Sequence, residues 1–250
     1  MKVTILQTDI AWAQPELNIK KAERLILNAP KSDLYILPEM WNTGFVTSPG
    51  NMTGYGNTGH SLDWMKEFAA QGNCAICGTI ATRSDDGKWF NRHYFVHPDL
   101  NICHYDKRHL FTYGGENIHF TAGKKRTVAV YGGFRFLLAT CYDLRFPSWL
   151  RYKDDYDAII LAANWPASRR DAWQILLRAR AIENQCYVLA ANRTGTGGNC
   201  TYTGDCCVID AYGRTVAQCN GEAEQTITAE IDLDSLRDFR TKFRVLDDRD

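Results

Sequence analysis

Short runs of aliphatic and β-branched residues alternate with amphipathic helical stretches along the whole chain, and that alternation confines it to an α/β architecture. Residues 3–10, 33–37, 74–81, 157–162, 187–191, 205–209 and 225–231 read as strands. Pro15 stands where a helix would begin and run through 18–27, and Ser61 is placed to cap a helix reaching 71. A long helix is expected over 168–184, with Trp173, Leu176, Leu177 and Ile182 as its core-facing residues. Segments 92–97 and 102–105 flank Pro98-Asp99-Leu100-Asn101, and 126–131 and 134–140 flank Gly132-Gly133; both pairs read as hairpins. With no repeat and no linker rich in Pro, Gly and Ser, the expectation is one domain over 1–250. About ten or more strands would form two stacked sheets with helices outside.

Lys plus Arg and Asp plus Glu are equal at 29 each, and neither sign forms a long block. Such a chain has no electrostatic reason to seek nucleic acid or an anionic membrane. No apolar run reaches the length of a membrane span, and the opening MKVTILQTDI reads as a strand rather than an export signal. Nine scattered cysteines do not suggest a disulfide framework, so a reducing cytoplasm is the expected compartment. Cys74 and Cys77 form a C-x-x-C, but positions i and i+3 of a strand face opposite sides, which argues against a shared metal. Cys206-Cys207 fails for the same reason, and Cys103, Cys186, Cys200 and Cys219 read as filler.

Three β-type runs end abruptly in a polar residue: 34–38 in Glu39, 104–106 in Lys107, and 136–140 in Cys141. Ligands of α/β sheets bind beyond the carboxyl ends of strands, so these three ends could converge. Each alone has a plainer reading, as a solvated charge or a small core residue. Together they supply what amide cleavage needs. A thiol requires a base or a lowered pKa, a carboxylate can be that base, and an ammonium favours the thiolate and steadies an oxyanion.

The segments LPEMWNTGF (37–45), YDKRHLF (105–111), GENIHFTAG (115–123), CYDLRFP (141–147) and RARAIENQCYV (178–188) resemble the nitrilase, or carbon–nitrogen hydrolase, superfamily. Asp-Leu-Arg-Phe-Pro after the cysteine and Asn164-Trp165-Pro166 are most similar to its bacterial omega-amidase branch. Ser148-Trp149 departs from the acidic-leucine pair more usual after the family's proline. The resemblance implies an α-β-β-α sandwich, a triad of Glu39, Lys107 and Cys141, and a second glutamate at Glu116. It also implies pairing into a homodimer, with 168–184 as the facing helix.

On that resemblance Glu39 takes the Cys141 proton, Lys107 and the Tyr142 N–H hold the oxyanion, and a thioester follows with no metal or cofactor. The implied substrate is a small monoamide of a 2-oxo dicarboxylate, 2-oxoglutaramate or 2-oxosuccinamate. Arg145, Arg169 or Arg170 could take its free carboxylate, and Trp165 and Phe45 could wall the pocket. Arg145 could instead pair with Asp143. Rival readings are another activity of the superfamily (nitrilase, carbamoyl-amino-acid hydrolase, glutaminase), a Cys–His pairing through His109 or His119, and a non-catalytic binding protein.

Overall fold

Runs such as 34–37 and 158–163 are apolar at every position, which requires a covering layer on both faces of the sheet. The structure, a computed structural model, describes residues 1–49 and 58–249. One six-stranded sheet has the order β14 (Gln225–Glu230), β1 (Lys2–Gln7), β2 (Leu34–Ile36), β3 (Ala75–Arg83), β4 (Trp89–Val96), β5 (Ile102–Asp106). The second has the order β13 (Thr215–Gln218), β12 (Cys207–Ile209), β9 (Tyr187–Asn192), β8 (Ala158–Ala163), β7 (Phe134–Thr140), β6 (Val128–Tyr131). In each, three central strands run parallel, β1-β2-β3 and β7-β8-β9, and antiparallel strands flank them.

Alternation along the strands assigns the layers. Val3, Ile5, Leu34, Ile36 and Phe95 of the first sheet meet Phe136, Leu138, Ile160 and Leu189 of the second in the central core. The intervening residues Leu6, Tyr35, Leu37 and Ile76 face outward onto helices α1 (Pro15–Leu27) and α2 (Thr58–Gly72). Leu137, Ile159, Leu161 and Val188 pack on α5 (Arg170–Glu183). The result is the helix–sheet–sheet–helix order expected from the sequence. Cys74 and Cys77 fall in different layers, as do Cys206 and Cys207.

The Gly132-Gly133 hairpin closes with both glycines at positive φ, 54° and 83°, the twist a two-residue turn requires. Other expectations need correction. Ser61 does not cap α2 but lies inside it, buried, its Oγ accepting a hydrogen bond from Asn42 Nδ2 at 3.0 Å. Trp173 and Leu177 are buried, but Ile182 is 50% exposed, and Ile175 two turns earlier is 67% exposed on the same outward stripe. Strands β10 (Thr194–Gly197), β11 (Cys200–Thr203) and β13, and helix α6 (Leu233–Lys242), lie where the sequence suggested no element. β10, β11 and β13 are only four residues long, and β10 carries two glycines, which weakens any periodic signal. Helix α6 does carry a start signal, since Asp232 accepts hydrogen bonds from the N–H groups of Asp234 and Ser235.

Phe136 is fully buried between the sheets, with Phe95 and Phe134 at 5.9 and 5.7 Å between ring centroids. Phe136→Ala should therefore lower stability by roughly 3–5 kcal/mol, measured by chemical denaturation.

Candidate active site

Strands β2, β5, β7 and β8 direct their carboxyl ends to one edge of the sandwich, and the residues just past those ends form the site. Glu39 follows β2, where Leu37 N–H still bonds Cys77 O at 2.8 Å. Met40 then turns away at φ 42°, its N–H held by Thr79 Oγ1 at 2.7 Å. Lys107 follows β5, with its N–H on Asn91 O at 3.0 Å and its carbonyl accepting from Gly123 N–H at 2.9 Å. A Cβ on Gly123 would sit 1.9 Å from Asp106 O, so the segment bracing the lysine can approach only as glycine. Cys141 follows β7 at φ 43° and opens a 3-10 turn, Cys141–Arg145. That left-handed backbone at a non-glycine residue is the strained junction often found at functional sites.

Glu39, Lys107 and Glu116 are all fully buried and in contact. Lys107 Nζ donates to Glu39 Oε1 at 2.8 Å and to Glu116 Oε2 at 2.9 Å. Glu116 opens the short helix α3 (Glu116–His119) and also accepts from Phe111 N–H at 2.6 Å. Asn91 Nδ2 reaches both acids, Glu39 Oε1 at 2.7 Å and Glu116 Oε1 at 2.9 Å. The other Glu39 oxygen accepts from Asn164 N–H at 2.9 Å, and Asn164 Nδ2 donates to the Glu39 carbonyl at 2.5 Å. Burial works against the Lys107 ammonium, but the Glu116 and Glu39 carboxylates outweigh it and hold its pKa above the ordinary lysine value. Burial pushes the Glu116 carboxyl up, against the pull of Lys107 and the N–H groups of Asn91 and Phe111.

The Cys141 thiol lies beside this cluster, and its environment corrects the sequence-based expectation of a favoured thiolate. Burial, and next the negative Glu39, push its pKa well above the ordinary cysteine value. The Lys107 ammonium and Asn164 N–H pull it down, but by less. The lysine's charge is already matched by two carboxylates, so little field remains to stabilise sulfur as an anion.

Glu39 and Cys141 line a cavity of about 440 Å³ that also takes Phe45, Tyr142, Arg145, Trp165 and Arg169 into its wall. Arg145 stacks its guanidinium on the Trp165 ring at 4.9 Å, and Arg169 covers Phe111 at 5.3 Å. Neither arginine has a carboxylate partner among the described residues. Arg170, by contrast, is bound bidentately by Asp205 at 2.8 and 2.7 Å and does not line the cavity. The alternative pairing of Arg145 with Asp143 does not form. Asp143 is taken by Tyr105 OH at 2.8 Å, His109 Nδ1 at 2.8 Å and Thr140 N–H at 3.0 Å. His109, stacked on Phe146 at 3.8 Å, is thereby committed, and His119 is exposed at the far end of α3.

Sequence reasoning did not find Asn91 or Arg193. Arg193 is 98% buried in the cavity wall, stacked on Tyr202 at 4.6 Å and paired with Asp9 at 2.9 Å. Its Nη2 also holds Thr196 O at 2.7 Å, which fixes the β10–β11 hairpin over the cavity. Arg193 does stand just past the apolar 187–191 run, the kind of signal that exposed Glu39 and Cys141, whereas Asn91 precedes the strand-like 92–97 stretch and carries none.

The model of the carbon-nitrogen hydrolase family matches residues 2–241. The chain is 40% identical over 252 residues to omega-amidase YafV of Yersinia enterocolitica, covering all of this chain and 97% of that protein. It is 36% identical over 255 residues to 2-oxoglutaramate amidase of Bacillus subtilis, covering 99% of this chain and 98% of that one. In structure it resembles a CN-hydrolase superfamily protein of Xanthomonas campestris that carries an arsenic adduct in its active site. That match has a TM-score of 0.91 at 34% identity, over 100% of this chain and 97% of the other. The sandwich, the residues at its edge and these likenesses agree: the chain belongs to the carbon–nitrogen hydrolase family.

Proposed function

We propose that the protein is an omega-amidase, converting the terminal carboxamide of 2-oxoglutaramate or 2-oxosuccinamate to the acid and ammonia. The observation that carries the reading is a thiol and a carboxylate on one cavity wall, with the guanidinium of Arg145, which has no carboxylate partner among the described residues, in the same cavity. The omega-amidase and 2-oxoglutaramate amidase likenesses favour that substrate class over nitriles, carbamoyl amino acids or glutamine.

In this reading Cys141 is neutral at rest, and Glu39 removes its proton as sulfur attacks the amide carbon. An ammonium has three N–H donors; Lys107 uses two on Glu39 and Glu116, which leaves one for the developing oxyanion. The Tyr142 N–H is the second donor. Glu39 returns the proton to the leaving nitrogen, ammonia departs, and a water activated by Glu39 hydrolyses the Cys141 thioester. Glu116 keeps the lysine aligned. Arg145, held flat against Trp165, is shaped for a bidentate grip on the substrate's free carboxylate, and Phe45 closes the wall. The chemistry asks for no metal or organic cofactor.

Three further features complete the proposal. The 250 residues act as one domain, the exposed Ile175–Ile182 stripe of α5 packs against a second copy in a homodimer, and the enzyme works in the cytoplasm. Among the described residues no helix is long and apolar enough to cross a membrane.

Ammonia release from 2-oxoglutaramate, beside nitrile, carbamoyl amino acid and glutamine controls, tests the reading; it should be abolished by Cys141→Ala, and residual turnover would overturn the role of the thiol. Arg145→Ala should cut kcat/KM for the 2-oxo acid amide roughly 10- to 100-fold, chiefly through KM, with little effect on a neutral amide. Arg170→Ala should leave that specificity alone. Ultraviolet thiolate absorbance, taken as wild type minus Cys141→Ser, should stay absent from neutral pH up to about pH 9. A thiolate already present at neutral pH would contradict the neutral resting state.

A further inference from the structure

Asn91 touches every charged member of the buried cluster. Its backbone carbonyl accepts the backbone N–H of Lys107 at 3.0 Å, and its Nδ2 donates to the carboxylates of Glu39 (Oε1, 2.7 Å) and Glu116 (Oε1, 2.9 Å). It is fully buried and lies behind the cavity wall rather than in it. Two residues on, and therefore on the same face of β4, His93 Nδ1 donates to Ala139 O at 3.1 Å on the strand that ends in Cys141. One strand thus gauges the separation of the acids, the lysine and the sulfur.

Chemistry dictates which way the Asn91 amide points. Facing two carboxylates, only its N–H groups are attractive, since its oxygen would set lone pair against lone pair. Asn91 Oδ1 is left without a hydrogen-bond partner among the described residues. A buried acceptor left unpaired is costly, so the arrangement favours delivery of both hydrogens to the acids over satisfaction of the amide itself.

The need for those hydrogens follows from the charges that surround the acids. Lys107 approaches from the end of β5, Cys141 from the end of β7, and Tyr202, whose hydroxyl senses both Glu39 and Cys141, from β11. His93 is neutral, burial holding its pKa down to about 4, and the remaining contacts are the Phe111 and Asn164 N–H groups. Two buried carboxylates therefore share a single cation, a condition that drives one of a pair to take up a proton.

We infer that Asn91 is a positioning residue that keeps Glu39 and Glu116 ionised together at neutral pH and spaced on either side of Lys107. The inference rests on the proposed amidase reading, in which an ionised Glu39 receives the thiol proton. Replacing Asn91 removes a donor from each acid, and burial, which already pushes Glu116 up, is then opposed only by Lys107 and the Phe111 N–H. One acid then takes up a proton at neutral pH and gives it up again only at higher pH, so the lost activity returns as pH rises.

The experiment compares wild type with Asn91→Leu and Asn91→Ser in ammonia release from 2-oxoglutaramate across pH, with folding checked by circular dichroism. The acidic limb of kcat/KM should move up by roughly one to two pH units in Asn91→Leu, and by less in Asn91→Ser, which keeps one donor. KM should change little, because Asn91 does not line the cavity. Isotope-edited infrared spectra of glutamate-labelled protein read the same property without turnover. A protonated carboxyl at neutral pH should appear in Asn91→Leu and be absent from wild type. An acidic limb that stays in place while the rate merely scales down, or the lack of a new protonated carboxyl, overturns the inference. Wild type that releases no ammonia would refute the amidase reading instead, and the infrared comparison would still decide the role of Asn91.

Discussion

Lys107 holds its charge where water cannot reach it, between two carboxylates that are as deeply buried as it is. Each such ion loses hydration worth several kcal/mol, and the loss is offset only when every remaining donor and acceptor finds a partner in good geometry. Those partners come from distant parts of the chain: Asn91 on β4, Phe111 before α3, and Asn164 after β8. The ion cluster therefore depends on both sheets being in register, and it in turn pins the strand ends that reach it. Gly123 against Asp106 O and the turn at Met40 are local consequences of bringing the charges so close.

The same cluster decides how the thiol behaves. A lysine beside a cysteine ordinarily points to a stored thiolate, as in low-pKa cysteine sites. Here burial, and then the Glu39 carboxylate, outweigh the lysine and hold the proton on sulfur. A neutral thiol beside a carboxylate suits the proposed nucleophile, released only when substrate is in place. It also leaves the thiol less open to adventitious oxidation than a resident thiolate would be. Asp143 organises the other side: it fixes Tyr105, His109 and the Thr140 N–H, and so steadies the turn on which Cys141 sits.

Much of this was legible in the residues. Strand-like runs ending in Glu39, Lys107 and Cys141 marked the edge of the sandwich because apolar patterning stops where the sheet stops. The two-sided burial of 34–37 and 158–163 implied two layers of helices. Asn91 was hidden because it lies just before the strand-like 92–97 stretch, although β4 begins at Trp89, and its contacts exist only once other segments arrive. Arg193 was hidden likewise, its role set by the short β10–β11 hairpin and by Asp9, far away in sequence. Ile182 was misplaced inward because apolar character alone does not distinguish the face of the helix that packs on the sheet from the face turned outward.

The central claim is that Cys141, and no other of the nine cysteines, carries the acyl group during turnover. Acid quenching within the first turnovers with 2-oxoglutaramate, followed by peptide mass spectrometry, tests it directly. The account predicts an acyl adduct, equal to substrate less ammonia, on the peptide that contains Cys141. Ammonia released with no adduct there, or with the adduct on a different cysteine, would contradict it.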